Sequence, residues 1–73
     1  MAKLPVVSGA EAIRAFEKAG WTRARQKGSH VVLLKPGRMA SLSVPLHREM
    51  APGTLRSLIR DAEMTVEEFG ALL

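Results

Sequence analysis

The sequence predicts an α+β domain, a three-stranded antiparallel sheet with helices on one of its faces. Three observations predict it. Ser8-Gly9-Ala10-Glu11 and Thr65-Val66-Glu67-Glu68 each have the hydroxyl-to-carboxylate spacing of a helix capping box. Between them lie three short strand-like runs, separated by turns containing Gly or Pro. Pro52 then opens another run with helical periodicity.

Each element has its own reason. Lys3 to Val7 is a lead-in. The first helix runs from the Ser8 cap to about Ala19, with Ala12, Ile13, Phe16 and Ala19 as its apolar stripe. Gly20 supplies a left-handed exit. Trp21 to Gln26 alternates as a strand, with Arg23 and Arg25 expected on one face. Trp21 itself is assigned to the core rather than to base stacking, because it follows the helix exit directly. Gly28 and Ser29 turn the chain, and His30 stands at the mouth of the apolar run Val31 to Leu34. That run suits a central strand with both faces covered. Lys35-Pro36-Gly37-Arg38 is a tight turn. Met39 to Val44 alternates as a third strand, with Ala40, Leu42 and Val44 on one side, and Pro45 ends it. Leu46 to Met50 is a connection carrying His47. The second helix has Leu55, Leu58, Ile59 and Ala62 inward and breaks at Asp61 to Met64. A short last helix follows Thr65, with Val66, Phe69, Leu72 and Leu73 on its apolar side. The order α-β-β-β-α, with a short extra C-terminal helix, is also that of double-stranded-RNA-binding domains.

Length and composition bound the function. Seventy-three residues, 1–73, make a single domain. A chain this short buries only about 60% of its unfolded surface, so its stability is expected to be marginal unless a partner or oligomer helps. The absence of cysteine excludes disulfides and thiolate metal sites, and fits a reducing cytoplasm. Met1 to Pro5 has no apolar core of signal-peptide length. The longest aliphatic run, Val31 to Leu34, is far short of a membrane span.

Charge is more informative. The net charge of +4 is unevenly spread: residues 1–48 carry +7 and residues 49–73 carry −3. No acid occurs between Lys18 and Arg48. A basic centre of this kind is an electrostatic footprint for a polyanion, with nucleic acid the leading candidate. The basic residues do not form an amphipathic helix, which argues against a membrane surface. His30 lies inside this cationic stretch, close to Arg23, Arg25 and Lys27. Imidazole can take or give a proton near neutral pH, so His30 is the candidate general acid or base. Two histidines seventeen residues apart, with no acid between them, give no metal-ligand set, and no cofactor is expected.

Leu4-Pro5-Val6-Val7-Ser8-Gly9, Gly20-Trp21, Gln26-Lys27-Gly28-Ser29-His30, Val44-Pro45-Leu46-His47, Pro52-Gly53-Thr54-Leu55-Arg56-Ser57-Leu58-Ile59-Arg60 and Thr65-Val66-Glu67-Glu68-Phe69 form a set of segments. This set resembles the HicA toxins of bacterial type II toxin–antitoxin systems. Together the segments cover nearly the whole chain in order. The resemblance implies a double-stranded-RNA-binding-like fold and a metal-independent endoribonuclease that cuts mRNA and stops translation. It places catalysis on the histidine of the Gly-Ser-His segment, here His30. It implies a HicB-like antitoxin that binds the toxin and covers the site, with operator DNA contacted only through that antitoxin. One departure is Glu63, where the family often has Gly after the second helix.

The chemistry expected is attack of the RNA 2′-OH on the adjacent phosphorus, giving a 2′,3′-cyclic phosphate and a 5′-OH. His30 would move a proton, as base or as acid. Arg23, Arg25 and Lys27 would neutralise the phosphorane, and the Gly28-Ser29 turn would lie against the RNA. His47 is open to three readings: a second acid or base, an RNA contact, or an ordinary loop residue. The last two together are preferred. The competing functions are a non-catalytic RNA-binding module of the same fold and an interaction protein whose basic face holds an acidic partner.

Overall fold

A computed structural model describes residues 3–73; Met1 and Ala2 lie outside the described residues. The elements are α1 (Gly9–Lys18), β1 (Thr22–Lys27), β2 (His30–Leu34), β3 (Leu42–Pro45), α2 (Pro52–Asp61) and α3 (Val66–Gly70). The strands form an antiparallel meander in the order β1-β2-β3. This is the α+β architecture that the sequence predicts.

Both capping boxes form. Ser8 Oγ accepts the Glu11 N–H at 3.1 Å, and Glu11 returns a carboxylate oxygen to the Ser8 N–H at 2.9 Å. Thr65 and Glu68 repeat the exchange at 3.0 and 2.8 Å. These bonds satisfy N–H groups that a helix start leaves without partners. Helix α2 has no such side chain; it starts from Ala51 with Pro52 in its first turn.

Helices α1 and α2 end alike. After α1, the Gly20 N–H reaches the Glu17 carbonyl and the Trp21 N–H reaches the Phe16 carbonyl. After α2, Glu63 and Met64 make the same pair of bonds to Arg60 and Ile59. Both are Schellman ends, which put one residue in the left-handed region. That residue is Gly20 at φ 103 in the first and Glu63 at φ 58 in the second.

The core gathers one stripe from each helix against one face of the sheet. Ala12, Ile13, Ala15 and Phe16 of α1 meet Val31, Leu33, Leu42 and Val44 of the sheet and Leu55, Leu58 and Ile59 of α2. Trp21 is 1% exposed, a core residue as expected. Phe69 closes the end of the core, its ring centroid 5.0 Å from that of Phe16. Leu73, expected inward, is half exposed.

The strands depart from expectation in three ways. First, β2 is covered on one face only: Val31 and Leu33 are buried, Val32 is half-buried, and His30 and Leu34 are exposed. The apolar run therefore does not mark a strand sandwiched on both sides. Secondly, β3 is Leu42–Pro45 rather than Met39 to Val44. The register would put Ser41 opposite Leu34, the last residue of β2, but residues opposite Met39 and Ala40 would fall in the Lys35–Arg38 turn, where Lys35 Nζ is bonded to the Ala19 carbonyl at 2.8 Å. Met39 is consequently fully exposed. Pro45 stays in the strand, opposite His30, because an edge strand tolerates the missing N–H. Thirdly, a bulge at Ala24 shifts the register of β1 between Arg23 and Arg25. Arg23 pairs with the inward Leu33, and Arg25 with the outward Val32. The two arginines thus lie on opposite faces, against the expectation from simple alternation.

Candidate functional site

The site begins at the two-residue turn between β1 and β2. Gly28 has φ 59, and nothing lies within 4 Å of where a Cβ would project. The glycine is there for its backbone conformation, that of a tight hairpin with Gly at the first central position. Gln26 Nε2 donates to the Gly28 carbonyl at 3.0 Å, and the Leu46 N–H donates to the Ser29 carbonyl at 2.7 Å. The turn is therefore held both by its own strand and by the segment leaving β3.

His30 is the first residue of β2, in the middle of the sheet. Its cross-strand partners are Lys27 on β1 and Pro45 on β3. Directly paired residues point to one side of a sheet, and His30 points away from buried Val31. The next row on the same face is Arg25, Val32 and Ser43. The open face thus presents His30 with Lys27 beside it and Arg25 diagonally adjacent. His30, Lys27 and Arg25 are all exposed. Among the described residues, β1, β2 and β3 carry no acid. An exposed, cationic sheet face with one imidazole suits a phosphate polymer laid across it better than a small molecule held in a pocket.

Arg23 is elsewhere. It lies on the helix side, its Nε 3.3 Å from Glu17 of α1. His47 follows β3 and is exposed, in a shallow groove lined by Ser8, Ala10, Leu46 and Arg48. The His47 carbonyl accepts the Gly9 N–H at 2.9 Å. Gly9 packs so closely on this segment that an added Cβ would come within 2.0 Å of the Pro45 carbonyl oxygen. Sequence reasoning alone does not single out Pro45, Ser43 or Gly9 as site residues. The meander order is the signal that could find Pro45 and Ser43, since it places their strand beside β2. The approach of Gly9 to Pro45 has no local signal, because the two positions meet only in the folded chain.

The described residues contain no group of three or more His, Asp or Glu side chains able to hold a metal. No helix among them is long and apolar enough to cross a membrane.

Residues 9–64 match the family model described as HicA toxin of bacterial toxin-antitoxin. That is well over half of the chain. The chain belongs to the HicA toxin family. It is therefore the toxin of a toxin–antitoxin system, and membership implies an antitoxin partner. No curated protein matches the chain. The matched span of this HicA toxin includes the hairpin turn, His30, the Pro45–His47 segment and Gly9. Its exit from α2 at Glu63 also falls within the match.

Proposed function

We propose that this HicA toxin is a metal-independent endoribonuclease that cleaves mRNA, with His30 as the proton-transfer residue. The observation that carries the reading is the open sheet face, where His30 lies between the Lys27 and Pro45 strands with Arg25 next to it. RNA carries its own nucleophile, so the protein need only orient the strand, move protons and neutralise charge. Lys27 and Arg25 flank the position where a phosphate would meet His30 and offset the added charge of the phosphorane. The backbone of Gly28 and Ser29 borders the same position. Arg23, turned toward Glu17, is the least favourably placed of the proposed RNA contacts. His47 extends the basic surface beyond β3.

The whole chain acts as one toxin domain in the cytoplasm, and a HicB-like antitoxin neutralises it by covering this face. Operator DNA is reached only through the antitoxin. The acid-free sheet favours a partner that brings negative charge.

The test uses partner-free protein, a labelled single-stranded RNA and excess EDTA. The expected result is cleavage by the wild type, none with a 2′-deoxy sugar at the scissile position, and a loss of about 10²-fold or more in His30→Ala. His30 is exposed, so the variant is expected to fold normally. Tight, salt-sensitive RNA binding without any cleavage would instead make the domain a non-catalytic RNA-binding module.

A further inference from the structure

We infer that His47 is the second proton-transfer residue of this site, acting with His30 on one phosphodiester. The inference rests on the ribonuclease reading above and deepens it.

The reaction needs two proton transfers. The P–O2′ bond forms as a base takes the 2′-OH proton. The P–O5′ bond breaks as an acid protonates the departing 5′-oxygen. The products are a 2′,3′-cyclic phosphate and a 5′-OH, and no further reactant is consumed. A single imidazole performs one of these transfers. The other groups on the open face are poor candidates for the second. Arg25 and Lys27 carry only hydrogen-bond donors and no acceptor for the 2′-OH proton, and Ser43 offers only a hydroxyl. Glu11 is bonded to the Ser8 N–H in the cap of α1.

The backbone brings His47 to the same end of the sheet as His30. His30 and Pro45 are cross-strand partners, about 5 Å apart between Cα atoms in such pairs. His47 follows two residues later, at most about 7 Å further along the chain. Three backbone bonds fix this segment. Leu46 donates to Ser29, the residue before His30; Gly9 donates to the His47 carbonyl; Met50 donates to the Val7 carbonyl. The contact of Gly9 with Pro45 leaves no room for a side chain between them. The segment is thus held at the hairpin tip through Leu46 and at α1 through the His47 carbonyl. Only the carbonyl of His47 serves that grip, so its imidazole is left exposed for another use. An RNA strand leaving the sheet face past His30 toward the groove of Ser8, Leu46 and Arg48 passes His47.

The deciding experiment measures kcat/KM against pH for the wild type, His30→Ala, His47→Ala, His47→Gln and Glu49→Gln. Each is assayed on an RNA with one cleavable linkage and on the same RNA with sulfur replacing the bridging 5′-oxygen. A thiolate leaves without being protonated, so this substrate makes the acid dispensable. The expected result is a bell-shaped profile for the wild type, and a loss of about 10²- to 10⁴-fold with one limb missing in both His47 variants. The sulfur substrate should restore most of the rate to just one of the two histidine-to-alanine variants, which identifies the acid. Glu49→Gln, a charge change at an exposed residue two positions further along the same connection, should keep both limbs. Thermal melts at the wild-type midpoint exclude a folding defect, and His47→Gln covers the case in which Ala alone disturbs the loop. His47 variants that keep both limbs, or lose activity only through KM, overturn the inference and leave the ribonuclease reading standing. Failure of the sulfur substrate to rescue either variant also overturns it. A wild type that cleaves no RNA removes the ribonuclease reading itself.

Discussion

Glu63 occupies a backbone conformation that its side chain opposes. At φ 58 it serves as the left-handed residue of a Schellman end, where a Cβ costs about 1 kcal/mol. Its carboxylate pairs with Arg38 of the β2–β3 turn, but both side chains are exposed and such a pair contributes about 0.5 kcal/mol or less. Backbone relief should therefore outweigh the lost pair. Glu63→Gly is expected to raise the melting midpoint by roughly 2–6 °C, on the scale of 4–8 °C per kcal/mol for a domain of this size. Glu63→Gln, which keeps the strain and loses the charge, should not exceed the wild type. If Gly melts at or below the wild type, the ion pair outweighs the backbone term.

At the scale of elements, helices and strands differ in how plainly the sequence announces them. The helices are legible because their signals are local: Ser8 with Glu11, Thr65 with Glu68, Pro52, and apolar stripes whose central residues all point inward. The capping box of α1 also makes a prediction. The hydrogen bond from the Ser8 backbone, then that from its side chain, holds the Glu11 carboxyl below the usual carboxylate range. A lowered folded-state value means that the stabilisation is fully present above the unfolded value, near 4.5, and is lost as pH falls through the lower folded value. Ser8→Ala should lower stability by about 1 kcal/mol at neutral pH. Glu11→Gln removes the carboxylate itself, so urea titrations at descending pH should show its gap from the wild type narrowing below pH 4.5. The strands are less legible. Arg-Ala-Arg reads as plain alternation, and nothing local announces that Ala24 is the extra residue. Met39 to Ser41 alternates too, but a strand needs a partner and the Lys35–Arg38 turn removes those of Met39 and Ala40. The bulge yields a prediction of its own. Each phosphate contact to single-stranded RNA contributes a slope of about 0.7 in log K against log salt. Arg25→Gln with Lys27→Gln should therefore lower that slope by roughly 1.4 in a filter-binding titration. Arg23→Gln should change it much less. Equal effects of Arg23 and Arg25 would contradict their assignment to opposite faces.

For the molecule as a whole, charge and architecture agree. The basic first two thirds of the chain supplies the open sheet, and the acidic last third supplies α3 and the turn before it. Residue type and charge single out His30 as a candidate, because imidazole chemistry and a run without acids are both visible in a sequence, while its catalytic role is what the family resemblance implies. The grip of Gly9 and Ser29 on the Pro45–His47 segment is not, since it joins residues far apart in the chain. The sheet that displays the site also ends at β1, an outer strand exposed along its whole length. A bare strand edge is a template on which other chains can add, and charged side chains and bulges are the usual safeguards. Here the safeguards are Arg23, Arg25, Lys27 and the Ala24 bulge. Two of those cations are also the best-placed of the proposed RNA contacts. Neutralising them to disarm the toxin would strip protection from the strand edge as well. On the proposed reading, a toxin disabled in this way would exchange RNA recognition for self-association, whereas one disabled at His30 would keep its guarded edge.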